Sequence, residues 1–203
     1  KNKTLQLYHF CGIGLGIVIG TAAVWIISTS YLFWNHQWMF IGFIGILLCI
    51  PIIFYTPKQI LLITDKIAPI ENKFKIDFFS IAFGYFFFGV GYIIFGTFIS
   101  AIAKDVFEIS SYQYISWIVV GIFAIPSVLI WNFVSKNIST DLLLFFSCLT
   151  VALGVSLLFF SNNLNYFLIS CMLYGLGVPG SVALVLVEGK KRFIGNTNIS
   201  VAI

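Results

Sequence analysis

The stretch FFSIAFGYFFFGVGYIIFGTFISAIA, residues 78–103, runs for 26 positions without a charged side chain and is bracketed by Asp77 and Lys104. At 1.5 Å per residue a helix of that length reaches about 39 Å, enough to cross a hydrocarbon core of about 30 Å. Five further stretches have the same character: Tyr8–Ile27, Trp38–Tyr55, Ile115–Val134, Leu142–Phe160 and Tyr166–Val187. The fold class that follows is an all-α polytopic membrane protein with six transmembrane helices in a lipid bilayer. Composition agrees, because 60% hydrophobic against 9% charged residues leaves too few charges to coat a globular surface.

Charge placement gives the orientation. Lys1 and Lys3 precede the first span, and Lys58, Lys66, Lys73 and Lys75 lie between the second and third. Lys136 lies between the fourth and fifth, and Lys190, Lys191 and Arg192 follow the sixth. The alternate connections together hold only Lys104. Short cytoplasmic loops carry the excess of Lys and Arg, so the N-terminal end and the segment after the sixth span are expected in the cytoplasm. Trp34, Trp38, Tyr112, Tyr114 and Trp117 then fall at the outer interface, where amphipathic rings belong. The net charge of +4 is a consequence of this topology, and the basic residues, dispersed among Asp65, Glu71 and Asp77, form no nucleic-acid surface.

Cys11, Cys49, Cys148 and Cys171 fall inside spans without the paired spacing of a metal site or a disulfide framework. They read as small buried hydrophobes, and no metal or cofactor is expected. The chain starts at Lys1 with no signal peptide and stops at Ile203 just as apolar character returns, so both ends read as cuts in a longer protein. The longest connection, Thr56–Asp77, holds seven of the eighteen charged residues together with Pro57 and Pro69, and it divides two spans from four. Within it Gln59–Ile67 reads either as a short interfacial helix or as a solvated linker.

Gly12, Gly16 and Gly20 repeat at four-residue intervals on one face of the first span, a small-xxx-small arrangement that admits another helix closely. In the third span Gly84 and Gly91, and Gly89 and Gly96, are seven apart and nearly eclipsed. The first and third spans are therefore expected to pack together at the centre, with a sliding or rocking seam as the functional alternative to plain packing. Gly12-x-Gly14 follows no strand and lies within a span, so it is no nucleotide loop.

Tyr85 and Tyr92 fall near the Gly89 and Gly96 face, with Thr97 and Ser100 extending the polar character of that span. A phenol facing lipid would leave its hydroxyl unpaired, so these residues should face another helix or a wet cavity. Pro126, with Ser127 beside it, frees a carbonyl and permits a kink in the fourth span. The sixth span gathers Gly175, Gly177, Pro179 and Gly180 in six residues, which marks it as a mobile, interrupted element or a bent packing helix. The second span has no strongly polar side chain between Met39 and Phe54, and the fifth has only Ser147, Thr150 and Ser156, hydroxyls that can bond back to their own helix. Helices one, three, four and six should then surround something, with two and five outside.

Two segments resemble a known family. Tyr85, Phe86, Phe88, Gly89, Gly91, Tyr92, Ile93, Ile94, Thr97 and Phe98 resemble the seventh helix of the YbfB/YjiJ-type branch of the major facilitator superfamily. His9, Phe10, Gly12, Gly14, Leu15, Gly16 and Ile17 resemble its fifth. The resemblance implies helices five to ten of a twelve-helix fold. Residues 1–55 would be the last two helices of the N-terminal bundle, 56–77 the central cytoplasmic loop, and 78–203 the first four helices of the C-terminal bundle and the start of the next. It also implies that helices five, seven, eight and ten line the cavity. The superfamily's loop signature, Gly-x-x-x-Asp-Arg-x-Gly-Arg, would fall at Asn132–Thr140, where the chain has Lys136 but no Gly, Asp or Arg.

On this reading the chain is a secondary active transporter in the bacterial inner membrane that moves a small organic solute by alternating access. Tyr85, Tyr92, Thr97, Trp25 and Tyr174 are the candidate cavity-lining residues, and Gly12, Gly16, Gly20, Gly89, Gly96, Pro126, Gly177 and Pro179 serve helix packing or gating. An accessory subunit of a membrane complex is the alternative, and no catalytic constellation for a membrane enzyme is visible. None of the six spans has an Asp, Glu, Lys or Arg in its central part. Proton coupling, which the resemblance allows, would thus use a residue outside them, with His9 the nearest candidate here.

Overall fold

The computed structural model describes residues 3–29, 33–55 and 72–192, with side chains at 10–29, 33–51, 54, 79 and 82–186. Six helices follow one another: α1 Lys3–Ser28, α2 Trp34–Tyr55, α3 Asn72–Phe107, α4 Tyr112–Val134, α5 Thr140–Leu157 and α6 Leu164–Arg192. A short 3-10 turn, Leu158–Phe160, ends α5. Among the described residues, five helices are long and apolar enough to cross a membrane, over Phe10–Ser28, Ala82–Phe107, Tyr112–Val134, Thr140–Phe160 and Leu164–Leu186. The remaining helix, α2, is 22 residues long and carries no Asp, Glu, Lys or Arg.

The helices overrun the apolar stretches. α3 begins at Asn72, so residues 72–77 of the expected loop are helical. Once a helix is formed, each further residue adds a backbone hydrogen bond at little cost, and Lys73, Lys75 and Asp77 are compatible with that extension. Glu108, with φ 53°, turns the chain out of α3, and its amide donates to the Lys104 carbonyl at 3.1 Å. The Gln59–Ile67 segment with Pro57 and Pro69, and the side chains of His9, Lys190, Lys191 and Arg192, lie outside the described residues.

α6 is the centre of the assembly. Phe167, Ser170, Cys171 and Ser181 are fully buried, and Tyr174 nearly so. α5 packs along one side of α6 and α4 along the other; α1 packs on α4, α2 touches α1, and α3 lies across α4, α5 and α6. Phe95, Ile99 and Ala103, four residues apart, form the buried stripe of α3, whereas Phe83, Phe86 and Phe98 on its other faces are more than half exposed. Between helices in lipid there is no hydrophobic gain, so association rests on close packing and hydrogen bonds.

Three expectations are corrected. α1 and α3 do not pack together among the described residues, because α1 is seated on α4 and α3 reaches α4 from another side. α6 is not interrupted: it is helical through Gly175, Gly177, Pro179 and Gly180. In a bilayer an opened turn would strand several backbone groups, whereas a proline within an unbroken helix frees one carbonyl. Finally, α5 is not merely peripheral, since Leu143, Ser147, Val151 and Gly154 form a buried face against α6. Its other hydroxyls bond back as expected, Thr150 to Phe146 and Ser156 to Ala152.

Candidate functional site

The proline of α4 and the glycine-proline segment of α6 meet. Ser127, next to Pro126, donates to the Leu176 carbonyl at 2.5 Å and accepts from the Gly180 amide at 3.1 Å. In a regular helix the Gly180 amide would bond Leu176 directly, so the Ser127 hydroxyl bridges the two ends of that turn. The Trp131 indole N–H adds a second donor to the Leu176 carbonyl at 2.8 Å. The glycines admit this approach: a Cβ on Gly180 would overlap the Trp131 ring, one on Gly175 the Val120 carbonyl, and one on Gly177 the Val151 side chain. Gly177 and Pro179 thus sit at a tight packing seam, and Pro126 lies in an unbroken α4.

A second knot joins α3 to α4 and α6. The Tyr174 hydroxyl donates to the Tyr92 carbonyl at 2.8 Å, and the ring stacks on Phe95 with centroids 4.1 Å apart. Trp117 donates to the Ser100 hydroxyl at 3.0 Å. Gly96 lies under both, where an added Cβ would come within 3.1 Å of the Tyr174 oxygen and 3.6 Å of the Trp117 ring. α5 and α6 are tied by Ser170 to the Gly154 carbonyl at 2.6 Å and by Ser181 to Ser147 at 2.9 Å. The interhelical hydrogen bonds of these two knots and of the α5–α6 pair lie within α3–α6.

The contact of α1 with α4 is of another kind. A Cβ on Gly14 would come within 2.7 Å of the Gly121 carbonyl, and one on Gly121 within 3.0 Å of the Gly14 carbonyl. Val18 and Ile125, one turn along each helix, close the contact. Near the other end of α1, Trp25 stacks on Tyr114 at 5.7 Å and 10°. The repeat Gly12, Gly16 and Gly20 is not what meets α4: among the described residues no heavy atom lies within 4 Å of an added Cβ on any of the three, and the close approach is made by Gly14. Gly89 is equally open. Four-residue periodicity marks a smooth helix face without saying whether a helix or a space lies against it.

Gly16 and Gly20 border a space. A groove of 440 Å³ runs between α1, α3 and α4, with Ile41 of α2 at its edge, and is lined by Gly16, Gly20, Thr21, Ser100, Gln113 and Trp117, with Tyr114 at its side. A second cavity, of 320 Å³, lies between α3, α5 and α6 against Tyr85, Phe88, Leu144, Phe145 and Cys148. The five expected cavity residues do not converge. Tyr85 lines the smaller cavity, Tyr92 and Tyr174 belong to the α3–α6 knot, and Trp25 is spent on Tyr114. Thr97 is exposed and bonds back to Ile93 at 2.8 Å. Sequence reading missed Thr21 and Gln113; an uncharged polar residue within or at the end of an apolar span was the signal available. Among the described residues no His, Cys, Asp and Glu gather into a set that could hold a metal ion.

Comparison with curated proteins and with solved structures gives no match. The family model described as "Uncharacterised MFS-type transporter YbfB" matches residues 1–202, nearly the whole chain. A multi-pass bundle of apolar helices with that match is a membrane transporter, and the chain belongs to the YbfB-type family of the major facilitator superfamily.

Proposed function

We propose that the chain moves a small organic solute by alternating access as a secondary active transporter of the bacterial inner membrane, its N-terminal end in the cytoplasm. α1 and α2 belong to one bundle and α3–α6 to the next, and the two rock about the α1–α4 seam. The observation that carries this reading is the contrast between two kinds of contact. α3–α6 are cross-linked through Ser127, Trp131, Tyr174, Trp117, Ser170 and Ser181, whereas α1 meets α4 through glycine, aliphatic and stacked aromatic surfaces. A contact of van der Waals character has neighbouring arrangements of similar energy, and a directional hydrogen-bonded one does not. Alternating access needs rigid bodies on either side of such a seam.

Spin-label distances in lipid vesicles test the proposal without knowledge of the substrate. Labels at exposed Phe40 of α2 and Phe146 of α5 span the seam, and labels at Phe98 of α3 and Phe146 lie within one body. The first pair should show two distance populations and the second pair one. A single population for both pairs defeats the rocking reading.

A further inference from the structure

We propose that the groove between α1, α3 and α4 binds an uncharged solute with one flat apolar face and two or more hydroxyl groups. It would be the solute of the transport reading above, on which this assignment rests. The argument starts from unused hydrogen-bonding capacity. A threonine inside a membrane helix ordinarily donates to the carbonyl one turn back, as Thr97 does to Ile93 and Thr150 to Phe146. Thr21, half-buried within α1, makes no such bond, and its hydroxyl has no partner among the described residues. The same holds for the side-chain amide of Gln113 and the hydroxyl of Tyr114, both half-buried. All three residues line the one groove.

Polar groups in a low-dielectric setting demand partners, and a carboxamide offers a donor and an acceptor side by side, which suits neighbouring hydroxyls. Trp117 supplies the flat surface. Its N–H is held by Ser100 at 3.0 Å and Gly96 lets it lie close to α3, so the ring is fixed while it lines the groove. Gly16 and Gly20 leave two positions of the α1 wall, between Ile17, Thr21 and Val24, without side chains, and among the described residues no heavy atom lies within 4 Å of an added Cβ there, which gives a ring-shaped solute room. Among the described residues no Asp, Glu, Lys or Arg lines the groove, so a fixed charge on the solute would be buried without a counter-charge from them. The volume of 440 Å³ falls within the range of about 300–1,000 Å³ usual for small-molecule sites.

The test measures equilibrium binding to the chain in lipid nanodiscs with two probes of one shape. These are 4-nitrophenyl β-glucoside, which is neutral, and 4-nitrophenyl β-glucuronide, which adds a carboxylate. Saturable binding of the glucoside is expected, with the glucuronide at least about tenfold weaker. The isosteric changes Thr21→Val, Gln113→Leu and Tyr114→Phe, none of which removes a packing contact, should each weaken glucoside binding between about twofold and tenfold. Gly20→Leu should fill the groove and abolish binding at unchanged folded yield. Absence of saturable glucoside binding, equal affinity for the two probes, or binding indifferent to the three isosteres would each overturn the assignment. If two seam populations persist while binding fails, the groove is wrong and the rocking reading stands. Binding with a single seam population keeps the groove and removes the rocking.

Discussion

Ser127 and Trp131 share one acceptor, and that redundancy can be measured. Ser127→Ala removes the donor at 2.5 Å from the Leu176 carbonyl and the acceptor at 3.1 Å from the Gly180 amide. Side-chain hydrogen bonds between membrane helices are worth about 0.6 kcal/mol on average and reach about 1.7 kcal/mol. Two bonds therefore predict a loss of about 1–2 kcal/mol. Trp131→Phe removes the 2.8 Å bond and trims the ring that lies where a Gly180 side chain would be, for about 1 kcal/mol. Each single change leaves the Leu176 carbonyl one donor from α4. The double change leaves it none from α4, and if the Gly180 amide does not turn back to it, the unsatisfied buried carbonyl costs about 1–3 kcal/mol.

The double variant should therefore be less stable than the sum of the singles, by about 1 kcal/mol. Reversible unfolding of the four proteins in mixed micelles gives the cycle directly. Strict additivity would mean that the freed Gly180 amide returns to the Leu176 carbonyl and α6 closes its own turn. The bridging role of Ser127 would then be refuted.

The remaining predictions concern single sites. Tyr174→Phe keeps the 4.1 Å stack on Phe95 and loses only the bond to the Tyr92 carbonyl, so stability should fall by about 0.6 kcal/mol, read by the same unfolding assay. Gly14→Ala, whose methyl would collide with the Gly121 carbonyl, should destabilise by about 1–3 kcal/mol, whereas Gly16→Ala should be neutral or slightly stabilising. Equal behaviour of these two variants would sink the seam as drawn. Gly175→Ala, aimed at the Val120 carbonyl, should lower the folded yield markedly, as measured by size-exclusion monodispersity. In detergent, maleimide should label the exposed Cys49 readily and the fully buried Cys171 only after unfolding; comparable rates would contradict the central place of α6.

The spans were legible because charge is forbidden in hydrocarbon and the forbidden zones are long. Their ends were not, since Lys73, Lys75 and Asp77 tolerate a helix as well as a loop, and a residue-by-residue reading of polarity stops where lipid stops. Helix partners were the harder part. Gly12, Gly16 and Gly20 repeat with the period of a packing face, yet the contact is made by Gly14, whose partners Gly121 and Ile125 lie more than 100 positions away. Ser127 was visible beside Pro126, and the breaker cluster of α6 was visible by itself. What joins them is a bond across 49 positions, and periodicity along one helix carries no information about it.

That bond also bears on how a sequence rich in helix breakers is held while it stays helical. Pro179 removes the amide that would have bonded the Gly175 carbonyl, and the glycines remove the side chains that stiffen a turn. In water such a segment would open and hydrate. In lipid the opened groups would have no solvent, so the helix stays closed, and at the next carbonyl, Leu176, Ser127 and Trp131 reach in from α4 where the glycines let it come close. The breakers and the serine are thus halves of one device. Its effect is to fasten α6 to α4, which is opposite to the independent mobility that the breakers suggest when read alone. If a bundle moves in this protein, α4 and α6 move together, and the freedom lies where glycine faces glycine between α1 and α4.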